Sequence, residues 1–435
     1  MALETAGVPA VAVHAPIFEG VARSVAQMNG MPTTRQAFVP QTIMGRTPAE
    51  LRAFLERNDP VSKRPLMQEI MEGLIGPLTE EDLKGVSFER TTPRLLEPDT
   101  EERLQELFIK NSWTDFLPIV LPTEERVARM LSGTSHPPDE VVGRLRPTSG
   151  REYWEFTVEK VAVNAVMAGA RPEYLPVILA LAASGMSARS SSTTSFATIS
   201  LVNGPIRKKI GMNCGIGALG PYNHANASIG RAYGLLSQNL QGGSVPGDTY
   251  MGSLGNWYAY SATFAENEER SPWEPFHVQH GFKSEDSTVS TFLGGWYTQA
   301  LFGTRDTWEQ KLRHCLTACE PYLAPLLVLD PLAARGLVER GLDTKKKLIN
   351  WCAENARLTA REYWDNPWTQ TLNRPLALAG VEPYATHLEA SPDEMLRMFR
   401  NQDINVVVAG GETTSAWRMI GASYRGNTVS IDTWR

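Results

Sequence analysis

The sequence predicts an α/β fold: a mixed or largely parallel sheet with crossover helices, preceded by an N-terminal helical or irregular arm. Two observations carry this. Three apolar runs have strand character and each stops at turn-forming residues: Phe196 to Val202 before Asn203-Gly204-Pro205, Leu326 to Leu329 before Asp330-Pro331, and Ile404 to Ala409 before Gly410-Gly411. Helical stretches separate them, notably Ala225 to Leu240 and Thr344 to Asn355, as crossover connections require. In such sheets ligands sit beyond the carboxyl ends of strands, so a site is expected at the turns that close these runs.

Taken in order, residues 1–95 are rich in Pro, Gly and Met and hold short helical signals such as Pro48 to Glu56, with no clear strand of their own. They read as a wrapping arm or a small helical lobe, joined by the charged stretch Glu97 to Glu106 to an α/β catalytic domain over residues 96–435. From Thr157, apolar residues Val158, Val161, Ala162, Ala165 and Val166 recur at helical spacing, and Gly169 ends that helix. The run Glu173 to Ala183 follows Pro172 and is apolar all round, which predicts a buried helix.

Composition sets outer limits. A chain of 435 residues is long enough to bury a large core without staples, and a net charge of -6 gives no basic excess to attract a phosphate backbone, so no nucleic-acid partner is expected. The basic run Lys345-Lys346-Lys347 reads as a solvated helix face. No stretch approaches the roughly 18 to 20 apolar residues that cross a bilayer, and no membrane partner is expected. Cys214, Cys315, Cys319 and Cys352 form neither a CxxC pair nor a disulfide scaffold, so a cytoplasmic protein with reduced thiols is expected. Homo-oligomerisation is expected as for many enzymes of this size.

Three segments have residue types suited to chemistry. Gly211 to Asn226 contains a GxGxxG string, Gly215 to Gly220, running into a helix. Glycines let successive backbone N–H groups face an anion, and the helix N-terminus adds its dipole, so Gly215, Gly217 and Gly220 are candidate anchors for a small anionic substrate. Tight packing of loop on sheet is the alternative. A dinucleotide site fits poorly, since Lys208 to Met212 is a poor strand and no acidic residue follows at the required spacing. Asn203, Asn213, Asn223 and Asn226 supply amides for a polar ligand or for turns and caps. Cys214 is a candidate nucleophile if His224 and the helix terminus stabilise its thiolate, and otherwise a small buried residue.

The second segment, Phe264 to Phe282, places Glu266, Glu268, Glu269 and Glu274 with His277 and His280 among Trp273, Phe276 and Phe282. Aromatic bodies imply partial burial, and burial raises a carboxyl pKa into the range of a general acid or base. Glu266, Glu268 and His277 are therefore the candidate catalytic groups, with a plain acidic loop as the alternative. The third segment, Val406 to Trp417, offers Glu412 beside Gly410-Gly411 as a ligand contact or an ordinary turn. No cofactor is favoured. A catalytic metal is conceivable from Glu and His, yet no HExxH occurs, and His314, Cys315 and Cys319 read better as core packing than as ligands.

The runs Leu117 to Val127, Thr157 to Tyr174, Val202 to Arg207, Gly217 to Pro221 and Ala265 to Pro275 together resemble a bacterial family associated with a UGSC (selenocysteine-Gly-Ser-Cys) motif. The resemblance spans roughly residues 110–415 and leaves residues 1–95 outside it. The chain holds no UGSC or CGSC string, so the resemblance implies that any selenol or thiol redox centre belongs to a separate protein partner. The functional expectation is an enzyme for a small polar, anionic molecule, a lyase or hydrolase working by carboxylate and histidine acid–base chemistry. Alternatives are a subunit of a thiol- or selenol-dependent reductase and a non-catalytic binding or assembly protein.

Overall fold

The turn residues expected to close three strands do close them, and a computed structural model places those strands in one six-stranded sheet. It describes residues 2–28, 31, 33–41, 43, 46–77, 94–145, 154–189, 196–220, 222–240, 250–252, 254–256, 262–302 and 306–435.

The N-terminal segment departs from expectation. Short strands β1 (Ala12–His14) and β2 (Gln36–Phe38) pair in parallel, each too short to show an alternating pattern in sequence. Ala37, Val39, Phe54 and Leu66 form a small core there. Buried Asp59 ties it together, its carboxylate accepting from the N–H groups of Phe38 and Val61 at 2.6 and 2.7 Å. The expected helix is present as Pro48–Leu55, with Thr47 and Glu50 forming a capping box. Residues 78–93 of this segment lie outside the described residues.

A hairpin of β3 (Val141–Leu145) and β4 (Trp154–Thr157) leads into the helix Val158–Met167. The apolar run after Pro172 becomes the helix Leu175–Ala183, buried from Leu175 to Ala182 as its all-round apolar face requires. The main sheet is built from β5 (Ala197–Asn203), β6 (Thr263–Ala265), β7 (Thr288–Phe302) and β8 (Pro325–Leu329). A small pair, β9 (Arg357–Thr359) and β10 (Met395–Arg397), stands apart, and β11 (Asn405–Val408) and β12 (Ala416–Ser430) complete the sheet.

Strand order is β11-β8-β12-β7-β5-β6. The outer pairs β5/β6 and β8/β11 are parallel, while β12 and β7 are antiparallel to each other and to their neighbours. Each parallel pair is joined by a helical connection foreseen in sequence, His224–Asn239 in one and Lys345–Asn355 in the other. The sheet is therefore mixed.

It is also curled. Ile199, Leu201, Phe264, Phe292, Leu326, Val328, Val407, Ile420 and Ala422, drawn from all six strands, meet in one inner cluster. Their alternate neighbours face out: Val202, Ala265 and Val289 pack on the helices Val158–Met167, Leu175–Ala183 and His224–Asn239. Leu327, Leu329, Val406, Val408, Trp417 and Met419 pack on the helices at 308–317, 331–339 and 345–355. Helices on both outer faces explain why these strands are apolar throughout. The two edges approach where Asn267, just past β6, donates its N–H to Val408 O of β11 at 2.7 Å.

Candidate functional site

Where β6 ends, Glu266 follows Phe264 at a spacing of two, which turns its side chain toward the inner face. A carboxylate there loses all contact with water and must be matched by donors. Oε2 accepts from Asn203 Nδ2 at 2.6 Å and from the Phe276 N–H at 2.7 Å, and Oε1 accepts from Lys345 Nζ at 3.3 Å. Lys345 is buried too, its ammonium shared with Gln279 Oε1 at 3.2 Å. This corrects the reading of 345–347 as a solvated face, which holds for Lys346 and Lys347 only. The signal was helical phase: Lys345 lies on the side of the helix that buries Leu348 and Cys352. Burial pulls the Lys345 ammonium below the usual lysine range, and the Glu266 carboxylate opposes that.

A second ring of charge surrounds the first. Glu268 accepts from the Gly204 N–H at 2.7 Å and from the other hydrogen of the Asn203 amide at 3.0 Å, and it pairs with Arg207 at 2.7 Å. Arg207, buried on the short helix Ile206–Lys209, also donates to Gly204 O and Glu266 O and forks onto Glu269. Among the sequence signals it stood only within the resemblance run Val202 to Arg207, and nothing in its type or spacing marked it as the hub. Burial works against a charged Glu269, but hydrogen bonds from Arg207 and Lys208 outweigh it and hold the carboxyl at about 2, below the ordinary 4.5. A depressed folded pKa contributes stability that is complete above the unfolded value and is lost as pH falls toward the folded one. The melting temperature is thus expected to fall between pH 4.5 and about 2, and Glu269→Gln should flatten that segment of the pH–melting curve; an unchanged slope would count against the Arg207 pairing.

His277 lies on the one-turn helix Phe276–Gln279, whose first and last residues hold Glu266 and Lys345. Its ring is fully buried and neither nitrogen has a hydrogen-bond partner among the described residues. Asn203 Oδ1 and Thr288 Oγ1, cross-strand neighbours in the β5/β7 register, are buried and unpartnered as well. His280 stacks with Phe276 and Tyr424 at centroid distances of 4.3 and 4.5 Å; burial, then the charge of Lys345, lower its pKa.

The glycine-rich loop lies against this cluster. Gly410 accepts from Asn267 Nδ2 through its carbonyl and donates its N–H to Cys214 O, at 2.9 and 2.8 Å, so the two central segments abut. Inside the loop, Gly215 N–H donates to Asn213 Oδ1, and the N–H groups of Ala218 and Gly220 donate to Gly215 O and Gly217 O. Asn226 braces Asn213 through two hydrogen bonds and Ala218 through a third, and Asn223 holds Gly217 and Gly220. These amides are therefore engaged in shaping the loop. Gly220 and Asn226 nevertheless line a small cavity of about 70 Å³ between the loop and inner-face residues Ile199, Phe264 and Ile420. Arg418 also borders it and has no hydrogen-bond or ion-pair partner among the described residues. Its position two residues before Ile420 on β12 fixes its inward direction, a fact invisible until that strand is known.

Other candidates sit elsewhere. Cys214 is half-buried; burial raises its pKa, with Arg207, 4.0 Å away, opposing, so the thiol stays protonated near neutrality. His224 contacts Tyr174 OH at 3.3 Å and makes no recorded contact with Cys214. Glu412 pairs on the surface with Arg335 and Arg270. Cys315 and Cys319 are buried in the core and their thiols are pushed up to about 12 by burial. Among the described residues no group of three or more His, Cys, Asp or Glu is placed to hold a metal ion, and no helix is long and apolar enough to cross a membrane.

No family model, no curated protein and no solved structure matches the chain.

Proposed function

We propose that the chain is an enzyme that moves protons on a small polar, anionic organic molecule, as a lyase or a hydrolase. The observation that carries this reading is the wholly buried Glu266–Lys345 pair at the carboxyl ends of β5 and β6. Removing two charges from water costs several kcal/mol per ion, roughly, and an apolar pair of similar volume would hold the fold as well. Retaining them is best accounted for by use. Glu266 takes a proton from substrate carbon or from water, and Lys345 steadies the negative charge before and during the transfer. His277, with two unpartnered ring nitrogens, passes the proton on. Arg418 at the glycine-rich loop draws in the anionic group. Glu266, Lys345 and His277 are sealed, so a substrate reaches them only after the surrounding structure opens.

Support for the reductase reading is weaker, since a protonated Cys214 thiol is a poor nucleophile toward a thiol or selenol partner. A cytoplasmic setting accords with four free cysteines. The test is to incubate the protein with a panel of small carboxylic and hydroxy acids in deuterated water and follow proton exchange and product by nuclear magnetic resonance. Glu266→Gln and His277→Gln are each expected to lower turnover about 100-fold or more while circular dichroism stays native. Turnover close to that of the unmodified protein in both variants sinks the assignment.

A further inference from the structure

Far larger than the space under the glycine-rich loop is a cavity of about 600 Å³ whose wall includes Tyr424, the ring that stacks on His280. That volume is within the range of small-molecule sites, roughly 300–1,000 Å³. The last residue of β10, Arg397, the segment Met398 to Asp403 that follows it, and the short helices Ala360–Asp365 and Tyr384–Glu389 form one side, and β12 at Ser423 to Arg425 forms the other. None of these residues drew notice in the sequence, because helices of six residues carry little periodic signal.

The walls combine flat rings with positive charge. Tyr363, Tyr384, Phe399 and Tyr424 supply aromatic surface. Arg400 packs over the Tyr384 ring at 6.0 Å and is committed to Asp403 through Nε and Nη2, at 2.9 and 2.8 Å. Its remaining nitrogen has no recorded partner. Arg425, at the rim, has neither an ion pair nor a hydrogen bond among the described residues. Glu382, the second carboxylate of the lining, is occupied by the N–H and hydroxyl of Thr386. With Arg397, which lies 3.8 Å from Glu354, three arginines thus border the cavity against two carboxylates that already have partners.

An independent sign of a ligand is His387. Its residue is only 7% exposed, it borders the cavity, and its Nδ1 is buried with no hydrogen-bond partner. The ring is fixed edge-on to Tyr363 at 5.1 Å, and its backbone carbonyl accepts from Trp364 Nε1. Such a held, unsatisfied group costs free energy unless something in the cavity completes it. Burial lowers its pKa, with Glu382 and Glu394 opposing, so near neutrality the ring offers one donor and one acceptor.

We propose that this cavity binds a small aromatic anion: a flat ring bearing a carboxylate or phosphate, with the ring among the tyrosines, the charged group toward Arg425 and Arg400, and a polar ring atom on His387. The proposal rests on this cavity alone and stands or falls separately from the chemistry at Glu266. Isothermal titration calorimetry on the full chain with indole-3-acetate and adenosine monophosphate, against uncharged indole-3-acetamide and adenosine, tests it. At least one anion is expected to bind saturably and at least tenfold more tightly than its uncharged counterpart, and the one that binds names the charged group. Arg425→Gln should lose that tenfold with its melting temperature unchanged, Arg425→Lys should keep most of it, and Tyr384→Leu should weaken charged and uncharged ligands alike. Absence of saturation by all four compounds, equal binding of charged and uncharged partners, or undiminished binding by Arg425→Gln overturns it.

Discussion

Lys345→Met is expected to destabilise the fold by about 3–5 kcal/mol, because it strands a carboxylate that has no access to water. Glu266 would keep the Asn203 amide and the Phe276 N–H, two neutral donors, and lose the only cation within 4.0 Å of its carboxylate among the described residues. A second substitution separates cause from packing. Glu266→Gln in the Lys345→Met background removes the orphaned charge while keeping an acceptor for Asn203 and Phe276, and it should recover much of the stability. Urea titrations of the four proteins give the coupling directly. If the double variant is as unstable as the sum of the singles, the two side chains act independently and the pairing has no energetic content.

Gly204→Ala should be nearly as damaging, for a geometric reason. Gly204 has φ +84°, and a Cβ placed on it would lie 2.1 Å from the carbonyl oxygen of Asp286. Left-handed backbone costs an ordinary residue about 1–2 kcal/mol, and forced overpacking typically adds about 1–3. Gly211→Ala is the natural comparison, since its φ is +66° but an added Cβ meets nothing within 4 Å. The difference between the two variants isolates the contact between the end of β5 and the approach to β7. Gly204 also donates its N–H to Glu268 and its carbonyl accepts from Arg207, so moving it disturbs the whole charge cluster. Equal losses for both variants would mean the close approach at Asp286 is soft.

What the sequence made legible follows from the periods it contains. Runs of Val, Ile and Leu bounded by Asn203-Gly204-Pro205, Asp330-Pro331 and Gly410-Gly411 gave three strands to within a residue or two, because strand chemistry and turn chemistry agreed there. The longest strands, β7 and β12, were missed. Gly294 and Gly295 interrupt one and Gly421 and Gly426 the other, Ser and Thr dilute both, and Arg418 and Arg425 dilute β12 further. The interruption has a structural cause: Gly294 packs so closely on β12 that a Cβ would lie 2.3 Å from Gly421 O, beside a shift in the strand register. Two of the six strands were thereby hidden, and with them the inward positions of Arg418 and Tyr424.

At the site, Glu266, Glu268 and His277 were readable as a group because carboxylates and imidazoles crowd among aromatic residues. Their partners Lys345 and Arg207 were not, since they come from positions 79 and 59 residues away from Glu266. Charge type favoured a surface position for Lys345, and only its phase with Leu348 and Cys352 argued otherwise. Asn213 and Asn226 illustrate the opposite error, in which residues suited to ligands are engaged by their own loop.

The lengths of the strands have a consequence for how the molecule behaves in a crowded solution. The sheet places its shortest members, β6 with three residues and β11 with four, on its two borders, while the 15-residue strands β7 and β12 lie inside, β7 flanked on both sides over Thr288 to Gly294 and β12 over Trp417 to Ile420. An exposed border strand is a template on which another chain can add, and the risk grows with its length. Borders this brief, drawn toward each other at Asn267 and Val408, offer an incoming strand only a few free backbone groups. Over those flanked stretches the long strands present no open edge to a second molecule.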